Sequence, residues 1–512
     1  MSSFLRFIEQ CRIPPYKHQV VGSQKLIDHP YFGLFDEMGA GKTKQVIDAA
    51  QTLFLMNVIN RVVVVSPAPV RDVWWGPELG ELAKHLWLSI HNRVTEYHAS
   101  LRRWDNGPLQ QSELRWVVTN YDFIRRAERL EPLLKACNRK TLLVLDESSY
   151  IKNYKAQQTK AAFKLRKRSG RIVILNGTPI ANSPADLYTQ AAIMDPAILA
   201  CQTFFHYRSR YAVMGGYKGK EIVAWHGLDE VQSRMAPYVI RRLTRDCVDI
   251  PRKIPPVTLT VPMDDKTWTM YRGMRDNMVT WLSETEHVMA SQAIVKITRL
   301  SQITSGFLGG VEQFDEETEG STGELDLKAP VSFSEVREIS REKLDLMLLL
   351  LEKHWENEPN LKLIIWCRFR PELARLLAEV KRLFPHVALA ALHGQQKRAE
   401  RDRAIALMDP RTAPPGPGLL AGTPSTGRMG LNFTAAWIAY YMSNDYSLMT
   451  RNQSEARIYR PGQVMPSSYF DIAATGPKGQ KTIDHAVLLA HRNKNDLASW
   501  TTAAWIKALT EE

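Results

Sequence analysis

The chain has 512 residues, 44% hydrophobic and 24% charged, a globular composition with too much chain for one core and enough for two or three domains. Lysine and arginine outnumber aspartate and glutamate, 67 to 54, for a net charge of +13, which favours a polyanionic partner held in a salt-dependent way. No run of about eighteen apolar residues occurs, so no membrane span is expected, and five scattered cysteines without a Cys-x-x-Cys pair exclude a zinc ribbon and suit a reducing cytosol.

The first residues, Met1 to Phe7, contain no apolar signal-peptide core, so a cytoplasmic location is expected. Next comes a glycine turn, Met38, Gly39, Ala40 and Gly41, followed by Lys42 and Thr43 and then a helical pattern over 44–55. In such a turn backbone N–H groups point at phosphate oxygens, the lysine reaches the terminal phosphates and the threonine hydroxyl ligates Mg2+. ATP with Mg2+ is therefore the expected ligand. The usual pattern has a glycine where this chain has Asp36.

Downstream, the apolar runs 62–65, 116–119, 142–145 and 171–175 alternate with helical segments and each ends in a polar cluster. These features predict an α/β fold, a doubly wound parallel sheet with its ligands at the carboxyl ends of the strands. The run 142–145 delivers Asp146 and Glu147, the expected partners of the glycine turn. Asp146 would hold Mg2+, and Glu147 would orient and deprotonate the attacking water. Paired acids after a strand also serve as helix caps, which is the alternative for these two residues taken alone.

Residues 195–341 read as mainly helical, with a proline-rich joint at 251–256 and an acidic, glycine-rich loop at 312–326. Apolar runs resume at 361–366, 387–392, 418–421 and 437–441, predicting a second α/β lobe. Beyond them Arg457 and Arg460 lie three residues apart, on one face if helical. They suit the charge on a transferred phosphoryl group, or form a solvated basic face. The basic run 164–168 is taken as a solvated or DNA-facing patch.

These segments, in this order, resemble a Swi/Snf-type ATPase of helicase superfamily two over nearly the whole chain. Pro15 to Gln19 is similar to the family's glutamine motif, in which Gln19 reads adenine. The stretch from Asp36 to Thr43 resembles its Asp-Glu-Met-Gly-x-Gly-Lys-Thr motif, which accounts for the missing glycine. Asp146 to Ser149 resembles motif II and Asn176 to Asn182 motif III. Ser66, Pro67, Asn120 and Tyr121 occupy the Ia and Ib positions along the DNA backbone. The segment 240–253 with Thr298 to Gln302 resembles the family's lobe-joining arginine pair and the helical protrusion of its second lobe. Motif V covers Ser425 to Asn432, with Thr426 on the DNA side and Gly430 on the nucleotide side. Motif VI contains Gln453, Arg457, Arg460, Gly462 and Gln463. Ser149 and Asn176 depart from the family's histidine and serine or threonine, at positions that couple hydrolysis to DNA.

The resemblance implies two RecA-like lobes with helical insertions between them: 1–195 as lobe 1, 196–256 a protrusion and linker, 257–345 the second lobe's protrusion, 346–490 lobe 2 and 491–512 a terminal helix. It also implies an ATP-dependent, sequence-nonspecific translocase on double-stranded DNA, with Arg457 and Arg460 completing the catalytic site when the lobes close. Two alternatives stay open. One is a true helicase or branch-migration enzyme on forked or branched DNA, in which aromatics such as Trp225 or Trp268 stack on unpaired bases rather than pack a core. The other is an ATP-binding DNA scaffold with weak hydrolysis. The compact motor also suggests a bacterial or phage origin.

Overall fold

Apolar runs bounded by polar turns form the central strands of two separate sheets. The computed structural model describes residues 3–76, 80–97, 112–177, 184–215, 221–247, 250–284, 290–309, 336–426 and 431–492. The chain divides into two units between Asp249 and Ile250.

In the first unit the strands are β1 (Tyr31–Leu34), β2 (Arg61–Ser66), β3 (His91–Glu96), β4 (Glu113–Asn120), β5 (Thr141–Leu145), β6 (Arg171–Leu175), the hairpin β7 (Ala212–Gly215) and β8 (Glu221–Trp225), and β9 (Val239–Ile240). Seven of them make one sheet in the order β3-β4-β2-β5-β6-β1-β9, with every pairing parallel. The valines of β2 show why this sheet needs helices on both faces. Val63 and Val65 enter one apolar cluster and Val62 and Val64 the other, because successive side chains alternate across a strand.

The second unit contains β10 (Val257–Pro262), the short pair β11 (Phe307–Leu308) and β12 (Arg337–Glu338), β13 (Lys362–Trp366), β14 (Ala388–Leu392), β15 (Gly418–Gly422), β16 (Ile438–Tyr441) and β17 (Ser468–Thr475). Its six-stranded sheet runs β10-β17-β16-β13-β15-β14, again parallel throughout. Leu363 and Ile365 face one cluster, Ile364 and Trp366 the other. A satellite core around Trp268, Tyr271, Ile297 and Leu300 packs the helices Asp265–Glu284 and Ala290–Thr304.

The two doubly wound parallel sheets are those expected from the apolar runs. Helices predominate among the described residues of 195–341, as expected, and the hairpin β7–β8 and strands β9 to β12, which the sequence reading did not mark, also lie there. β10 reads Val-Thr-Leu-Thr-Val, an alternation typical of a half-covered edge strand rather than a fully apolar run. β3 and β17 also have no continuous apolar run to mark them. Trp268 is 7% exposed and stacks on Tyr271 with ring centroids 5.5 Å apart, so it packs a core and offers no face to an unpaired base. Trp225 is partly buried against Tyr207. Among the described residues no helix is long and apolar enough to cross a membrane. The expected terminal helix lies beyond residue 492, outside the described residues, except for its first two positions.

Candidate nucleotide site and its supports

Strand register brings the candidate residues of the first unit to one sheet edge. Leu34 at the end of β1 pairs with Leu175, Leu145 of β5 pairs with Ile174 and Val65 of β2 pairs with Leu145. The segments following β1, β2, β5 and β6 therefore emerge together at the carboxyl ends of a parallel sheet, where such sheets bind ligands.

The phosphate-type loop follows β1 and enters the helix Lys42–Leu55. Gly39 and Gly41 have φ of +88° and +72°, conformations that cost a residue with a Cβ about 1–2 kcal/mol. Gly41 has a second reason to be glycine, since a Cβ there would lie 2.2 Å from Nε2 of Gln19. Gln19 is buried, and its Oε1 accepts from the Tyr16 backbone N–H at 3.0 Å. Gly41→Ala is thus expected to lower stability by about 1–2 kcal/mol and to raise the KM for ATP by displacing the Gln19 amide. Chemical denaturation together with ATP titration checks this. A variant with wild-type stability and KM would refute it.

Lys42 Nζ donates to the backbone carbonyls of Asp36 (2.7 Å) and Glu37 (3.2 Å). Burial pulls its ammonium below the usual lysine range, while the nearby carboxylates of Glu147 and Asp146 act in the opposite sense. Thr43 follows on the first turn of the helix, half-buried.

Asp146 is buried and held from several sides. Trp74 Nε1 donates to its Oδ2 at 2.7 Å, the Glu147 backbone N–H donates to its Oδ1 at 2.9 Å, and the Tyr121 hydroxyl donates to its carbonyl at 2.8 Å. Burial raises its pKa, with the Trp74 hydrogen bond and the Lys42 charge opposing that shift. Glu147 has φ of +50°, a left-handed backbone rare for a residue with a side chain. The Thr43 hydroxyl and Asp146 carboxylate are hard oxygen donors of the type Mg2+ prefers.

Two supports were not visible in the sequence as partners of this loop. Arg242 Nε donates to Asp36 Oδ1 at 2.9 Å, and its Nη2 donates to Asp36 Oδ2 and to Gln45 Oε1. Thr244 donates its backbone N–H to Glu37 Oε2 and its hydroxyl to the Met38 carbonyl, both at 2.8 Å. The two acids opening the loop are thereby tied to the segment after β9.

The residues expected along DNA in the first unit are all buried. Ser66 Oγ donates to the Pro67 carbonyl, Asn120 Oδ1 caps its helix by accepting from Phe123 N–H, and Tyr121 stacks on Tyr150. Thr426 in the second unit is 5% exposed, and its hydroxyl donates to the Leu392 and Thr423 carbonyls. Gly430 lies outside the described residues, as do Thr178 to Asn182 of motif III.

Arg457 and Arg460 do not share a helix face, because the helix Leu448–Glu455 ends before them. They sit in the turns that follow, where Arg457 Nε donates to the Gln453 carbonyl (2.8 Å) and Arg460 Nη1 to the Leu431 carbonyl (2.6 Å). A buried charge cluster fixes that helix. Arg451 pairs with Glu455 and Asp471 while its guanidinium covers the Tyr441 ring at 3.5 Å, and Lys253 pairs with Glu455.

The family model for the SNF2-related domain matches residues 33–306. The chain is similar to a Drosophila melanogaster SWI/SNF-related matrix-associated actin-dependent regulator of chromatin subfamily A-like protein 1, 29% identical over 34% of this chain and 20% of that protein. It is also similar to an uncharacterized ATP-dependent helicase of Mycoplasma pneumoniae, 22% identical over 94% of this chain and 41% of that one. The chain thus spans about a fifth to two fifths of the length of these relatives. Among solved structures it is similar to the Sulfolobus solfataricus SWI2/SNF2 ATPase core in complex with dsDNA, with 20% identity, 96% and 95% of the two chains covered and a TM-score of 0.41.

Proposed function

The chain belongs to the SNF2-related family of helicase-type ATPases, and from that premise we propose that it hydrolyses ATP with Mg2+ to move along double-stranded DNA without reading its sequence. The observation that carries this reading is the convergence of Lys42, Thr43, Asp146 and Glu147 at one sheet edge, with the charges of Glu147 and Asp146 acting on Lys42.

In this reading the N–H groups of the loop from Met38 to Gly41 cradle the phosphates, and Lys42 exchanges its two carbonyl partners for phosphate oxygens. Gln19 reads the base. Thr43 and Asp146 would hold Mg2+, which would supply charge neutralisation at the phosphates. Glu147 takes a proton from the water that attacks in line. Arg457 and Arg460 of the second unit are assigned to the negative charge on the transferred phosphoryl oxygens, reached when the lobes close on the nucleotide.

Duplex DNA is the proposed track because the chain's net charge is +13 and backbone phosphates offer the same contact at every step. The buried side chains at Ser66, Asn120, Tyr121 and Thr426 leave those contacts to backbone amides and neighbouring residues. The test is steady-state phosphate release without nucleic acid and with blunt duplex DNA, single strands, forked DNA and RNA. Blunt duplex is expected to stimulate most strongly. Stimulation confined to single strands or forks would replace the proposal with a helicase or fork-remodelling enzyme, and a flat, low rate would replace it with a scaffold.

A further inference from the structure

The amide of Gln190, a residue outside motifs II and III, joins the turn after β5 to the turn after β6. Gln190 lies on the helix Ala185–Met194 and is 0% exposed. Its Oε1 accepts from Ser148 Oγ at 2.7 Å and from Asn176 Nδ2 at 3.1 Å, and its Nε2 donates to the Asp186 carbonyl at 3.1 Å. Both lone pairs of one carbonyl oxygen are therefore used, by donors on two different loops. Ser148 and Asn176 are themselves 0% exposed, so neither donor has water as a substitute.

One donor adjoins the proposed general base, and the other adjoins a residue packed against the phosphate loop. Ser148 directly follows Glu147, whose left-handed backbone, φ +50°, persists only where its surroundings over-determine it. The preceding side is fixed by the Glu147 N–H on Asp146 Oδ1, and the Glu147 carbonyl accepts from the Tyr150 N–H at 3.0 Å. Gln190 fixes the following residue. Asn176 leaves β6, and its own N–H donates to the Leu34 carbonyl at the end of β1. The next residue, Gly177, lies against the loop, since a Cβ there would be 2.9 Å from Met38 Cγ.

We propose that Gln190 is a positioning residue for hydrolysis, holding Glu147 through Ser148 in fixed register with the Asn176 and Gly177 turn that abuts the phosphate loop. Gln190 touches no substrate in this arrangement. It acts because a general base displaced by a fraction of an ångström loses alignment with the attacking water. Packing alone does not require an amide here, whereas two buried donors do.

The inference rests on the proposed ATPase activity, so the experiment begins with wild type and Glu147→Gln in duplex-stimulated ATP hydrolysis. Turnover that is lost in Glu147→Gln establishes the activity. Absence of wild-type turnover would overturn both the proposed function and this inference. Gln190→Met then keeps side-chain length while removing both amide groups, and Ser148→Ala removes one hydroxyl. Each is expected to lower kcat by about tenfold or more while leaving the KM for ATP within about twofold. The double variant should be no slower than the slower single variant, because both changes break one link. Unchanged kcat with a lowered Tm would show a packing role and overturn the inference, as would independent, multiplying effects in the double variant. If Gln190→Met fails to fold, Ser148→Ala decides alone: a wild-type kcat overturns the inference and a selective fall in kcat supports it.

Discussion

Glu147→Gln is expected to lower the saturated rate of ATP hydrolysis by roughly 10²–10⁴-fold, the usual contribution of a positioned general base, while ATP still binds. The substitution keeps the shape and the strained backbone position but removes the proton acceptor. Lys42, the Gly39 and Gly41 turn and Gln19, which make up the proposed binding surface, stay in place. Phosphate release at saturating ATP and duplex DNA measures the rate, and titration with a non-hydrolysable analogue measures binding. A variant within about threefold of wild type would remove Glu147 from the role of base. A variant that no longer binds the analogue would mean that the carboxylate supports the phosphate loop instead, where its charge already acts on Lys42.

Arg242→Ala is expected to have the largest effect on stability. Asp36 is 0% exposed, and Arg242 provides its two-pronged partner. Removing one member of a buried pair leaves a desolvated charge and costs about 3–5 kcal/mol. For a unit of this size that corresponds to a fall in Tm on the order of 10 °C. The same guanidinium donates to the His18 carbonyl and to Gln45 Oε1, so the loop and the helix carrying Gln19 should loosen together and ATP affinity should fall. Thermal unfolding of Arg242→Ala, Asp36→Asn and the double variant checks this. The double variant should lose less than the sum of the singles, because a neutral amide at position 36 leaves no buried charge without a partner. An unchanged Tm in Arg242→Ala would show that the pair contributes no net stability.

The centre of each sheet was legible because central strands of a parallel sheet are covered on both faces and so read as unbroken apolar runs. Edge strands have a different composition for the same reason. β3 is His-Asn-Arg-Val-Thr-Glu and β10 alternates, since one side of each is uncovered. The paired arginines near the end illustrate a different gap. A spacing of three predicts a shared helix face only where the helix continues, and here it stops at Glu455.

The sequence by itself determined the contiguous residues on which the proposed chemistry rests: a glycine turn leading to Lys42 and Thr43, and an apolar strand ending in Asp146 and Glu147. Phosphate and Mg2+ binding require those groups at short, fixed spacing on one stretch of backbone, so the requirement is written locally. Tertiary structure alone decided which distant side chains hold that chemistry in place. Arg242 reaches Asp36 across 206 positions and Gln190 reaches Ser148 across 42. Neither spacing has any periodicity to read, because a parallel sheet brings successive strand ends to one edge whatever the length of the crossovers between them. Burial at that edge then makes each polar group depend on a particular partner, and only the packed fold shows which partner that is.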